Sequence, residues 1–201
     1  MTFMPDKILL VDKWRPLCVA WSQAFGQCAS VEVVEGDLFS RDADAMVSPA
    51  NSFGIMDGGL DLAIRDALGF SIQGDVQRVI LERHHGELPV GVAEVVPTSH
   101  PRWPHLVVAP TMRVPESVAH TVNAYLAFRA VLLAVRRHNT NVDAPPIRSL
   151  LVPGLGTGIG AMDARRSAAQ MRLAFDQVSQ PARIPSHARI HELHTKLRSA
   201  T

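Results

Sequence analysis

One pattern limits what this chain can fold into more than any other. Short runs of apolar, β-branched residues, each closed by turn formers, alternate with stretches long enough to make a helix. Strand-length runs lie at Lys7 to Val11, Val31 to Val34, Ala45 to Val47, Val92 to Pro97, Leu106 to Ala109 and Ser149 to Val152. Between them, apolar residues at helical spacing occupy Pro16 to Phe25, Leu60 to Leu68, Ile72 to Arg83, Ser117 to Arg137 and Met162 to Val178. Parallel strands need a crossover about as long as a helix. The order therefore predicts an α/β fold of three layers, α/β/α, with a central mixed, largely parallel sheet covered by helices on both faces. A chain of 201 residues can bury a core of its own, so residues 1–201 read as a single domain. Asn139 to Pro146 reads as a surface connection inside it, and residues 181–201 as a tail or a last helix from about Ser186.

Charge narrows the choice of partner. Lys and Arg number 20 against 19 Asp and Glu, a net charge of +1, which supplies no field that would gather nucleic acid or acidic lipid. There is no strong nucleic-acid signal, and no apolar run long enough for a membrane span. The first residues lack the apolar core of a secretory leader, and Cys18 and Cys28 belong to no CxxC pair. Reduced thiols and a cytoplasmic location are expected. No cofactor and no metal is predicted. His187, His191 and His194 would share one helix face, yet no Cys or carboxylate cluster completes a coordination set. His84-His85 reads as a helix end, and Trp103, among prolines, as a packed loop residue.

Glycine is concentrated at two places where a strand hands over to a helix. The first is the run Ser48 to Asp61, with Asn51 and then Asp57-Gly58-Gly59-Leu60-Asp61. Glycine lets another molecule come close to the backbone, and a helix N-terminus offers unpaired N–H groups and the positive end of a dipole. Taken by itself the run is also a turn, with Asn51 as turn former and Asp61 in the first helical turn. The second is Pro153-Gly154-Leu155-Gly156-Thr157-Gly158-Ile159-Gly160, whose alternate glycines leave amides bare in the manner of a diphosphate cradle. Gly156, Gly158 and Ala161 also fit a dinucleotide fingerprint, but the acid at the matching distance, Asp176, falls inside a helical run and not at a strand end. No Gly-Lys-Ser/Thr makes it a P-loop, and no Gly-x-Ser-x-Gly elbow is present. Arg113, in the Pro-flanked run Ala109 to Pro115, is either a pocket-closing residue or part of a structural turn.

Together these segments resemble the macrodomain family over about residues 31–178. The resemblance rests on Gly36-Asp37 after an early strand, Asp44 to Asn51, Gly58-Gly59-Leu60-Asp61 and the late loop Gly154 to Gly160, in that order. It implies that the partner is ADP-ribose or an ADP-ribosylated macromolecule. It further implies that Asp37, with Leu38 beside it, receives the adenine amino group. Ala50 and Asn51 would hold the distal ribose, Gly58 and Gly59 would pass along that ribose and the diphosphate, and Pro153, Gly154, Gly156, Thr157, Gly158, Ile159 and Gly160 would wrap the phosphates. In hydrolytic members the residue at Asp61 acts on the attacking water, so Asn51 and Asp61 are the implied catalytic pair. The chain departs from the pattern at Ser48-Pro49-Ala50-Asn51, where members show Asn-Ala-Ala-Asn, at Asp57, where a third glycine is common, and in the late loop, which has no aromatic. Zinc-dependent relatives carry Cys and His in the first loop, and none lies between Asn51 and Asp61. Two functions follow from the resemblance: hydrolysis of an ADP-ribosyl linkage or of O-acetyl-ADP-ribose, and a non-catalytic reader or nucleotide sensor. Phe53 or Phe70 is a candidate for the missing aromatic.

Overall fold

The computed structural model describes residues 4–199. Six strands form one sheet: β1 (Lys7–Asp12), β2 (Val31–Glu35), β3 (Ala45–Ser48), β4 (Glu94–Pro97), β5 (His105–Val108) and β6 (Ser149–Val152). Their spatial order is β2-β1-β6-β3-β5-β4, with every pairing parallel except the antiparallel edge pair of β4 and β5. Six α-helices complete the described part of the chain: α1 (Arg15–Phe25), α2 (Gly59–Leu68), α3 (Ser71–His84), α4 (Asn123–His138), α5 (Ala164–Val178) and α6 (His187–Ser199), with a single 3-10 turn at Leu38–Ser40. This is the expected mixed α/β/α architecture.

Side chains along a strand alternate between faces, and the two cores divide accordingly. Ile8 and Leu10 join Val47, Val107 and Val152 in a core closed by Trp21 of α1, Phe128 of α4 and Met171 of α5. Leu9 and Val11 face the other way, with Met46, Leu106 and Leu151, and are covered by Ile64 of α2 and by Ile72, Val76 and Ile80 of α3. Central strands buried on both faces explain why their sequences run apolar without a break.

Helix α4 begins later than its periodicity suggests. Residues 117–122 turn instead: Thr121 sends both its N–H and its hydroxyl to the Val118 carbonyl, at 3.0 and 2.8 Å. Its Oγ1 also receives the Asn123 amide, and such local bonds compete with helical ones. Val118 is buried and donates its own amide to the Gly160 carbonyl at 2.8 Å. At the start of α5 the Asp163 carboxylate accepts from the amides of Arg165 and Arg166, a regular N-cap. Helix α6 lies against α5 through buried Leu197 and through Gln170, which is fully buried. The Gln170 side-chain amide donates to the carbonyls of Thr121 and Leu197, at 2.8 and 3.3 Å, and its oxygen accepts from the Tyr125 amide. Trp103 is a packed loop residue, its indole N–H bonded to the Arg41 carbonyl. His84 ends α3 and pairs with buried Glu94 at 2.9 Å.

Candidate functional site

Because the inner strands are parallel, their carboxyl ends point to one edge of the sheet, and there the connecting loops enclose a cleft of about 510 Å³. The loops after β1, β2, β3, β5 and β6 all contribute to its walls. Every binding or catalytic residue implied by the resemblance lies on that lining. Asp37 and Leu38 come from the loop after β2; Ala50, Asn51, Gly58, Gly59 and Asp61 from the first glycine loop; Pro153, Gly154, Gly156, Thr157, Gly158, Ile159 and Gly160 from the second. The two glycine-rich turns therefore adjoin in space.

Backbone amides dominate the chemistry of this cleft. Among the described residues, the N–H groups of Gly156, Thr157, Gly158, Ile159 and Gly160 meet no acceptor in the protein. The loop is held from behind: the Ala161 amide donates to the Gly158 carbonyl, the Met162 amide to the Gly156 carbonyl, and the Val118 amide to Gly160. Gly156 takes φ +73°, a conformation that other residues rarely adopt. Gly154 does not join this row, because its amide donates to Asp12 Oδ2 at 3.2 Å. Facing these amides is the N-terminus of α2, where no side chain caps the helix and the amides of Gly59, Leu60 and Asp61 also lack protein acceptors. Gly59 has φ +55°, and a Cβ at Gly58 or Gly59 would meet nothing within 4 Å. Two sets of unpaired donors across one cleft suit an anion with several acceptor oxygens.

Asp61, in the first turn of α2, is one of four acids on this lining, with Asp12, Asp37 and Asp57. Ser48, buried at the end of β3, donates its hydroxyl to Asp61 Oδ1 at 2.6 Å. Burial nevertheless pushes the Asp61 carboxyl up to about 6, against the pull of that hydrogen bond. A carboxyl poised near neutrality can take up or release a proton at working pH. Asn51 is largely committed to its own loop: Oδ1 accepts from the amides of Phe53 and Ile55, at 3.0 and 3.3 Å, and Nδ2 donates to the Ile55 carbonyl at 2.7 Å. Only one amide hydrogen is left for anything in the cleft. Asp37 caps the 3-10 turn by accepting from the Phe39 amide, and it pairs with Lys13 at 2.6 Å. The Lys13 ammonium, aided by that amide, holds the Asp37 carboxyl below its usual range.

Three candidates from the sequence stand elsewhere. Arg113 does not line the cleft; its guanidinium forms a two-pronged pair with Glu87, at 2.8 and 3.0 Å, and lies over the Phe53 ring. Phe53 and Phe70 are also off the lining, the latter exposed beneath the Arg65 guanidinium. The aromatic side chains on the lining are Trp14 and Phe39. The loop Asp12-Lys13-Trp14 contains no glycine, so a reading led by glycine passes over it. The signal it does carry is positional, since it ends a strand and opens a helix just as the glycine loops do.

A family model described as Macro domain matches residues 47–171, more than half of the chain. An uncharacterized protein of Aquifex aeolicus is 30% identical over 132 residues, covering 66% of this chain and 72% of that one. Among solved structures, the macrodomain of Mycobacterium tuberculosis DarG superimposes with a TM-score of 0.58 at 24% identity, over 71% of this chain and 88% of that one. An Oceanobacillus iheyensis macrodomain mutant with ADPR superimposes with a TM-score of 0.60 at 16% identity, over 96% and 94%.

Proposed function

This chain belongs to the Macro domain family, and on that premise we propose that its cleft binds ADP-ribose and hydrolyses an ADP-ribosyl linkage. The observation that carries the reading is the row of five unpaired amides from Gly156 to Gly160 facing the uncapped start of α2. A pyrophosphate between them would accept hydrogen bonds from both sides without any formal cation, as nests and helix N-termini allow. The Oceanobacillus iheyensis macrodomain mutant with ADPR supports the same ligand class.

The hydrolytic step falls to Asp61. With Oδ1 fixed by Ser48, Oδ2 is the oxygen that accepts a proton from the attacking water, which adds to the anomeric carbon of the distal ribose as the bond to the macromolecule breaks and the released group takes up a proton, or to the acetyl carbonyl carbon of O-acetyl-ADP-ribose as the ester bond to the ribose oxygen breaks. A carboxyl near 6 is mostly ionised at neutral pH and remains basic enough to act as general base. The products are free ADP-ribose from a modified macromolecule, or ADP-ribose and acetate from O-acetyl-ADP-ribose. Free Cys18 and Cys28 are compatible with the cytoplasmic setting that belongs to this proposal. Among the described residues, no helix is long and apolar enough to cross a membrane.

One observation favours a reader over a hydrolase. The Asn51 carbonyl is occupied by two loop amides, so its grip on the ribose is reduced to a single donor. Calorimetry with ADP-ribose and AMP, followed by a cleavage assay on ADP-ribosylated protein and nucleic acid, separates the two. Cleavage by the wild type, lost in Asp61→Ala while ADP-ribose binding persists, supports the hydrolase. Binding without cleavage by the wild type supports the reader, and tighter binding of AMP than of ADP-ribose overturns both.

A further inference from the structure

We infer that Asp57 selects the macromolecule on which ADP-ribose is presented, favouring a cationic protein segment over a nucleic-acid strand. The inference rests on the function proposed above and names the substrate class of that site. Three of the four acids on the lining are spent on the protein itself. Asp12 accepts from the amides of Trp14 and Gly154, at 2.8 and 3.2 Å. Asp37 is held by Lys13 and by the Phe39 amide, and Asp61 accepts from Ser48. The Asp57 carboxylate has neither a hydrogen bond nor an ion pair among the described residues. It is exposed, and it does not cap α2, whose N-cap residue Gly58 follows it directly and whose first amides stay bare. A capping acid would be bonded to those amides, so the start of α2 does not explain this one.

The chain on either side fixes where Asp57 stands. Met56 is buried, and its amide donates to Gln73 Oε1 at 2.8 Å. Its neighbours Ile55 and Asp57 are exposed, and both lie on the cleft lining. On the proposed reading the distal ribose rests against Asn51, Gly58 and Gly59, and the macromolecule leaves from that ribose. The residues next to the point of attachment therefore pass the Asp57 carboxylate. Among the described residues no cation offsets its charge: Lys13, the one basic residue on the lining, is held by Asp37, and the Arg113 guanidinium is taken up by Glu87. A nucleic-acid strand brings a phosphate with every nucleotide and would set negative charge against negative. Lysine and arginine side chains flanking a modified protein residue would instead meet an unpaired acceptor. Such complementarity steers encounter and discriminates between partners more than it adds raw affinity.

The test compares one handle on two carriers. ADP-ribose is joined at the distal ribose, through the same non-hydrolysable linker, to a Lys-rich peptide or to a single-stranded oligonucleotide. Wild type, Asp57→Asn and Asp57→Lys, each checked for folding by a urea melt, are titrated with both conjugates and with free ADP-ribose by fluorescence anisotropy and calorimetry, at low and at high salt. The wild type should prefer the peptide conjugate at least ~5-fold at low salt, with the preference narrowing at high salt. Asp57→Asn should bring the two conjugates to within about twofold of each other, and Asp57→Lys should reverse their order. A role of Asp57 in folding alone would alter both conjugates equally and leave their ratio untouched. An unchanged ratio in both variants, or a wild type that prefers the oligonucleotide conjugate, overturns this inference and leaves the proposed function standing. Failure of free ADP-ribose to bind the wild type at all overturns both.

Discussion

Ser48 donates a hydrogen bond to Asp61 Oδ1 at 2.6 Å, joining the last residue of β3 to the first turn of α2. The two are thirteen positions apart in the chain, and the turn between them carries Asn51 and the Gly58-Gly59 pair. A serine in place of the Asn common in the family therefore has a defined role, since it orients the acid and stabilises its ionised form. The link fails in two separable ways, through the acid or through the hydroxyl.

The acid sets a pH dependence. An Asp whose carboxyl rises to about 6 on folding binds its proton more tightly in the folded protein than in the unfolded chain. The stability this gives is complete below about pH 4 and is lost as pH rises through 6. Asp61→Asn removes that loss. Urea melts should show the variant more stable than the wild type at pH 7.5 by on the order of 2 kcal/mol, with the difference shrinking toward zero near pH 4. A constant difference across that range would contradict the assignment.

The hydroxyl sets where the acid titrates. Ser48→Ala removes a hydrogen bond that favours the carboxylate, so the Asp61 carboxyl should move further up. On the proposed hydrolytic reading, the acid limb of the cleavage rate should shift to higher pH by roughly half a unit to one unit, with the plateau above it reduced less. A pH–rate profile of wild type and Ser48→Ala reads this, and identical limbs would disconnect Ser48 from the acid.

Two glycines of the second loop should behave differently. A Cβ at Gly160 would fall 2.6 Å from the Gly156 carbonyl oxygen and 2.6 Å from Val118 Cγ2, whereas at Gly158 it would meet nothing within 4 Å. Gly160→Ala should therefore cost roughly 1–3 kcal/mol in a denaturant melt. Gly158→Ala should melt like the wild type and weaken ADP-ribose in calorimetry, because the new methyl stands on the cleft lining. Equal melting of the two variants would show that the loop yields more easily than its packing implies.

Arg113 provides a contrasting case. Its guanidinium is spent on Glu87 and on the Phe53 ring, outside the cleft. Arg113→Ala should leave ADP-ribose affinity within about twofold of the wild type, as surface substitutions away from a site usually do. A tenfold loss by calorimetry would place the residue nearer to the ligand than its partners allow.

Strands and helices are legible in the sequence because each face of the sheet needs a continuous apolar surface, and residues such as Leu9, Val47 and Leu151 advertise that need locally. The gathering of both glycine loops on one cleft is legible for a similar reason, since parallel strands send all their carboxyl ends the same way. What escapes is set by contacts distant in the chain or specific in geometry. Ser48 reads in the sequence as a lost Asn, and only the folded loop between β3 and α2 brings it to Asp61. Asn51 reads either as a turn former or as a ribose ligand, and its hydrogen bonds within the loop 51–55 show how much of it the turn uses. Residues 117–122 keep a helical pattern of apolar residues, yet Thr121 and Val118 form local bonds that postpone α4.

Gln170 sits at a junction where the carbonyls of Thr121 and Leu197 converge on one buried amide, and Thr121 in turn bonds Val118, whose amide holds Gly160. Four hydrogen-bonded steps thus connect the last helix to the loop that walls the cleft. Loosening at the far end would be felt as faster hydrogen exchange at residues that α6 never touches, so damage to the chain's closing turns would register as a blunted grip on ligand before it registered as unfolding.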